Sequence, residues 1–233
     1  KEEAVAYLAG FINHYIADSI CHPFIYGRIG YDINEPSTKN HGLHAALENE
    51  LDAILLWKYK KKKPSEFNQT ASICLNGQEL QFISHFLASC INETYYPITY
   101  RNNFQVTRSV WAIRFGCRTL ADKSGRKKNS IEFVESLFLK QPVASAKLVT
   151  DTISNYRNSC NLDHQPWCNP WKRSLASTAS FVDLFHQTLA KCSNVYYLLN
   201  NCITSPVSLD KQDLSLLMNE LGNYSYHSGL PVS

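Results

Sequence analysis

The chain has 233 residues, 44% of them hydrophobic and 18% charged, with only nine glycines and nine prolines; that length buries a substantial core, and the composition excludes a disordered or fibrous protein. Its formal charge of +3, from 23 Lys and Arg against 20 Asp and Glu, is too small to argue for a nucleic-acid partner. No stretch approaches the roughly 18 to 20 apolar residues needed to cross a bilayer, so no transmembrane segment is expected.

The first element is an amphipathic helix. Val5, Leu8, Phe11, Ile12, Tyr15, Ile16 and Ile20 recur at three-to-four spacing, predicting a helix from about Glu2 to Cys21, closed or bent at Pro23. A polar loop with Gly27, Gly30 and Pro36 follows. From His41 a second helix carries Leu43, Leu47, Leu51, Ile54 and Leu55 up to the basic run "KYKKKK", where cations complement a helix C-terminus. Helices are predicted next over about Gly77 to Thr94 and Asn103 to Ala121, then a charged loop from Asp122 to Ser130 and a helix from Ile131 to Leu139. Pro142 suits the first turn of a short helix to about Tyr156. "NLDHQPWCNPW", with two prolines and two tryptophans, reads as an irregular segment packed down on the body. A long helix follows from about Ser180, with Ser177 or Thr178 as its cap, and a last one runs from about Leu209 to Leu221, ending at Gly222. No hairpin is expected. The fold class is all-α, as a single helical domain over residues 1–233.

The eight cysteines show no CxxC pair and several lie on apolar helical faces, which reads as mostly free thiols and points to a reducing, cytoplasmic compartment. The sequence starts at Lys1 on a helical pattern and without methionine, so an N-terminal part is expected to be missing.

The chemistry concentrates in two helices. In "HYIADSICHP" His14, Asp18 and His22 stand four apart, drifting only ~40° around the helix per step, so they share one side over two turns. In "HGLHAALENELD" His44 and Glu48 repeat the spacing, the way helices present two ligands to zinc. Imidazole nitrogens and carboxylate oxygens suit a hydrolytic zinc ion, and a carboxylate such as Asp18 can bridge two ions, an arrangement suited to phosphoester cleavage. Asp52, four residues beyond Glu48, is either a partner that fixes a histidine tautomer or a solvated acid. His41, three residues before His44, is either a sixth ligand, a group supporting one, or, the preferred reading, a helix-start residue. His85 and His186 fit core or surface roles, His164 a turn, and His227 a polar tail. The alternative from another class is a non-catalytic helical protein in which a metal or a hydrogen-bond network ties the first two helices together.

"AYLAGFINHYIADSICHPFIY" followed by "HGLHAALENELDAILL" resembles the core motif of the zinc-dependent phospholipase C family, in an uncharacterised bacterial branch distantly related to single-strand-specific zinc nucleases. "NLDHQPWCNPW" and "SFVDLFHQTLAKC" resemble a downstream segment of that branch. The resemblance implies that His14 and Asp18 contribute to a paired-zinc site with Asp18 bridging, and that His22, His44 and Glu48 hold a further zinc, for one to three ions. It also implies cleavage of a phospholipid or other phosphodiester by activated water. Further ligands of the family lie upstream of its first helix, before Lys1 here, and the spacing from Asp18 to His22 is shorter than in the secreted phospholipases.

Overall fold

The computed structural model describes residues 2–34, 38–139, 142–204 and 211–232. Among them it is all-α apart from one two-stranded ribbon. Helix α1 spans Glu2–Arg28, about two turns beyond the predicted stop at Cys21. Pro23 sits inside it because the N–H that proline lacks would have served only the Ser19 carbonyl. The C-terminal tail packs over that spot: a Cβ on Gly229 would run into the Ser19 carbonyl and lie 2.9 Å from the Pro23 ring. Burial of Phe24 and Ile25 just beyond the proline outweighs the local penalty.

Helix α2, Thr38–Lys60, opens three residues before the expected start. Its Gly42 lies so close to the Pro142 carbonyl that any side chain would collide with it. Helices α3, Gly77–Tyr95, and α4, Asn103–Leu120, form an adjoining antiparallel pair. Each begins with a reciprocal cap: the Asn76 side chain accepts from the Glu79 N–H at 2.9 Å and Glu79 accepts from Asn76 at 2.7 Å, with Asn102 and Gln105 repeating the device at 2.9 and 3.0 Å.

Three sequence expectations are corrected here. Helix α5 covers Arg126–Phe138, starting inside the expected loop, because Asp122 Oδ2 accepts the Lys128 N–H at 2.8 Å and satisfies a first-turn donor. The helix expected from Pro142 to Tyr156 does not form. A 3₁₀ turn occupies Ser145–Lys147 and a single helical turn, α6, Tyr156–Ser159. The cause is Glu135, whose carboxylate takes the Ala144 N–H at 2.5 Å and the Ser145 hydroxyl at 2.5 Å, while Val149 bridges in parallel to Ala121. Finally, the Trp/Pro segment is a hairpin: β1, Trp167–Asn169, pairs antiparallel with β2, Lys172–Ser177, with an irregular register after Cys168. The Asn169 side chain makes the turn by accepting from the Trp171 N–H at 3.0 Å. The segment is packed down as expected, with Trp167 edge-on to Phe24 at 5.4 Å and its Nε1–H donating to the Ala179 carbonyl at 3.0 Å.

Helix α7, Phe181–Thr204, is capped by Ser180 rather than Ser177 or Thr178, through an exchange with Asp183 at 2.8 and 3.2 Å. Helix α8 spans Lys211–Leu221; the expected start at Leu209 lies outside the described residues. The core has two parts. Cys21, Phe24 and Ile25 of α1 meet Leu51 and Ile54 of α2 and Phe181 and Leu184 of α7; Ile12 and Ile16 meet Cys192, Val195 and Leu199 of α7 and Leu217 of α8. Because α1 commits its apolar face to α7, the flank carrying positions 14, 18 and 22 is left toward α2 and the C-terminal tail.

Candidate metal site

His22, His44 and Glu48 converge so that one ligand atom from each lies within 4.8 Å of the other two. Both imidazoles address the same carboxylate oxygen: His22 Nε2 is 3.1 Å and His44 Nε2 3.0 Å from Glu48 Oε1. The rings cross at 5.0 Å. His22 is buried and His44 half-buried. Among the described residues no second group of three such donors comes together.

The environment of His22 selects its tautomer. Its Nδ1 lies 2.6 Å from the Tyr226 carbonyl; a carbonyl only accepts, so Nδ1 carries a proton, and Nε2, which donates to Glu48 when no ion is bound, is the nitrogen left to ligate one. This is how a histidine is oriented for a metal. Among the described residues His44 Nδ1 is buried without a partner, and its Nε2 meets the same carboxylate. Two imidazole nitrogens and one carboxylate oxygen form a donor set that suits zinc with a fourth position open, so the residues present fit the ion the sequence implies.

The electrostatics describe the same convergence. Burial disfavours the Glu48 carboxylate, yet the hydrogen bonds and charges of His22 and His44 reverse the effect and hold it down at about 2. For His22, burial alone would lower the pKa, but the Glu48 hydrogen bond, the Asp18 charge and the Tyr226 carbonyl together raise it. Burial pushes Asp18 up, against the pull of His22 and His14.

His14 and Asp18 stand beside this group rather than in it. Asp18 lies between the two histidines of its helix, with Oδ2 3.3 Å from His14 Nε2 and Oδ1 4.0 Å from His22 Nε2. The side chain of His14 is 65% exposed, that of Asp18 only 19%, so His14 forms the outer rim. Asp52 holds no histidine. It lines a separate cleft of about 780 Å³ with Tyr59, Arg118 and Phe185, where burial, then the Glu48 charge, pushes its carboxyl up to about 6. His41 is exposed at the start of α2. His186 accepts or donates at 2.7 Å with Tyr59, and His164 Nδ1 lies 3.0 Å from the Thr178 carbonyl in its turn.

The C-terminal tail supplies what local spacing could not reveal. His227, expected in a polar tail, stacks on His22 at 5.8 Å between ring centres and shares a 3.0 Å hydrogen bond with the Tyr26 hydroxyl. Burial and the charges of His22 and His44 lower its pKa. Tyr26 also leans on His44 at 4.6 Å and meets Trp171 of the hairpin turn at 4.9 Å. The tail is fastened by the buried Asn169 side chain, which donates to the Ser228 carbonyl at 2.7 Å. The tail is also held by the Tyr15 hydroxyl, which donates to the Gly222 carbonyl and accepts the Tyr224 N–H, and by the Gly229 contact; none of these has a signal at helical spacing.

The family model described as zinc dependent phospholipase C matches residues 1–97, the segment containing all five ligand-type residues of α1 and α2, and supports the family assignment. The match does not reach the hairpin or the tail. No curated protein and no solved structure matches the chain.

Proposed function

With residues 1–97 carrying the zinc-dependent phospholipase C signature, we propose that the chain is a zinc-dependent phosphodiester hydrolase acting on a phospholipid or a related diester, built as one domain over residues 1–233. The observation that carries this reading is the convergence of His22, His44 and Glu48 on one point, with His22 held in the ligating tautomer by the Tyr226 carbonyl. These three residues would hold one zinc ion, and Asp18 with His14 would contribute to a neighbouring one. Bound there, zinc would supply Lewis acidity toward a phosphoryl oxygen and lower the pKa of a coordinated water toward ~7.

The protein's own groups do the positioning. Glu48 brings an anionic oxygen that both imidazoles address, so the pocket gathers positive charge without leaving it uncompensated. Tyr26, Trp171 and His227 wall one side. His14, at the exposed rim, is the outermost of the histidines and reaches an incoming headgroup first.

The test is turnover of a phosphatidylcholine substrate and of a chromogenic phosphodiester by the full chain, with zinc removed by chelation and then restored. Zinc-dependent release of a phosphorylated alcohol is expected. If chelation lowers the melting temperature while neither substrate is cleaved in the presence of zinc, the helical metal-binding alternative replaces the hydrolase reading.

A further inference from the structure

The loop between α3 and α4 exposes apolar surface in an unusual concentration. Tyr96 is 79% exposed, Ile98 88%, Tyr100 69% and Phe104, in the first turn of α4, 66%. Scattered apolar residues at a surface are ordinary; four of this size within nine positions are a patch that solvent does not favour. The exposure is built in. Ile98 N–H donates to the Tyr95 carbonyl at 2.7 Å, and the Asn92 side chain clamps Arg101 from both sides, accepting its N–H at 2.6 Å and donating to its carbonyl at 2.8 Å. The aromatic tip is therefore presented by a closed hydrogen-bonded loop.

Beyond Glu93, in the last turn of α3, the charge that follows has one sign. From Thr94 to Ala121 the sequence contains four arginines (Arg101, Arg108, Arg114 and Arg118) and no aspartate or glutamate, although the chain as a whole is nearly balanced. Arg108 lies over the Phe104 ring at 5.7 Å and Arg114 over Trp111 at 4.8 Å. Tyrosines and an isoleucine at a projecting tip, with the exposed Arg101 and Arg108 beside them, match the interfacial zone of a membrane: the rings take the headgroup level, the aliphatic side chain the acyl boundary, and these two arginines the lipid phosphates.

We infer that the α3–α4 loop, with the first turns of α4, is a docking surface for an anionic phospholipid bilayer. The surface itself requires no zinc, so it stands or falls separately from the hydrolase reading.

The experiment is co-sedimentation of the full chain, zinc chelated to prevent turnover, with vesicles of phosphatidylcholine alone and of phosphatidylcholine mixed with phosphatidylserine. Binding is expected to favour the anionic vesicles and to weaken with salt. R101Q and R108Q each lower partitioning to anionic vesicles by about fivefold, the equivalent of ~1 kcal/mol per arginine at a charged surface, and leave neutral vesicles unaffected. Y96S/I98S/Y100S lowers partitioning to both. The substituted side chains are exposed, so an unchanged melting temperature verifies each fold. Vesicle binding untouched by these variants overturns the inference. So does binding to a single-stranded oligonucleotide in place of vesicles, or self-association abolished by the triple variant without vesicle binding, which would identify a second copy as the occupant.

Discussion

Gly229→Ala tests whether the C-terminal tail is part of the metal site. Gly229 has φ +62, and a Cβ there would strike the Ser19 carbonyl within α1 and lie 2.9 Å from Pro23 Cγ. The left-handed backbone alone costs an alanine roughly 1–2 kcal/mol, and the obstructing atom belongs to a packed helix backbone that cannot swing aside. The tail can escape only by detaching. It would then lose the Asn169–Ser228, Tyr26–His227 and His22–Tyr226 hydrogen bonds, each worth ~1 kcal/mol net. Either route costs about 2–3 kcal/mol, which at ~2–4 °C per kcal/mol for a chain of this size lowers the melting temperature by about 5–10 °C. Detachment also frees His22 from the carbonyl that fixes its tautomer, an outer interaction whose loss typically weakens metal binding ~10–100-fold. Thermal unfolding and a zinc competition titration read the two effects. Gly10 supplies the control: it lies within α1 with nothing near its missing Cβ, so Gly10→Ala should raise stability by about 0.5–1 kcal/mol. A Gly229→Ala protein that melts with the wild type and binds zinc equally well would refute the role given to the tail.

Two further perturbations follow from titratable side chains. In zinc-free protein, Asp52 with its carboxyl at about 6 binds its proton more tightly folded than unfolded; its contribution is full below about pH 4 and is lost as pH rises through about 6. Asp52→Asn removes that loss, so by urea unfolding the variant should gain on the wild type between pH 4 and pH 7. The full shift corresponds to ~3 kcal/mol, and water reaching the open cleft reduces it to about 1 kcal/mol; a gap independent of pH would contradict the placement of this side chain. All eight cysteines are free thiols, and they should label in a set order under mass spectrometry at neutral pH. Cys74, Cys90 and Cys168 are exposed and react first, whereas Cys21 and Cys160, pushed up to about 11 by burial, stay protonated. Labelling of Cys21 ahead of Cys74 would show that the α1–α7 core is open.

The all-α class and the major helices were legible because they rest on local periodicity. Spacing of four put His14, Asp18 and His22 on one side of α1 and His44 and Glu48 on one side of α2; which of them meet depends on how the two helices pack, and the structure brings His22, His44 and Glu48 together. What escaped depends on contacts distant in sequence. Pro23 continues α1 because a tail two hundred residues later covers the unpaired Ser19 carbonyl; the stretch after Pro142 is bent away from helix by Glu135; and the two prolines of the Trp/Pro segment conceal a hairpin whose turn is made by the Asn169 side chain. His227 has no ligand-type neighbour in sequence, so only the folding back of the tail brings it to His22. The one local hint was Gly229, whose use in the left-handed region is visible only once its φ is known.

The central claim is that His22, His44 and Glu48 form a zinc site. Elemental analysis of purified wild-type protein beside His44→Ala and Glu48→Ala, with helical content checked by circular dichroism, tests it most directly. The wild type should retain zinc, and each variant should lose one equivalent while remaining helical. Zinc content unchanged in both folded variants would contradict the assignment.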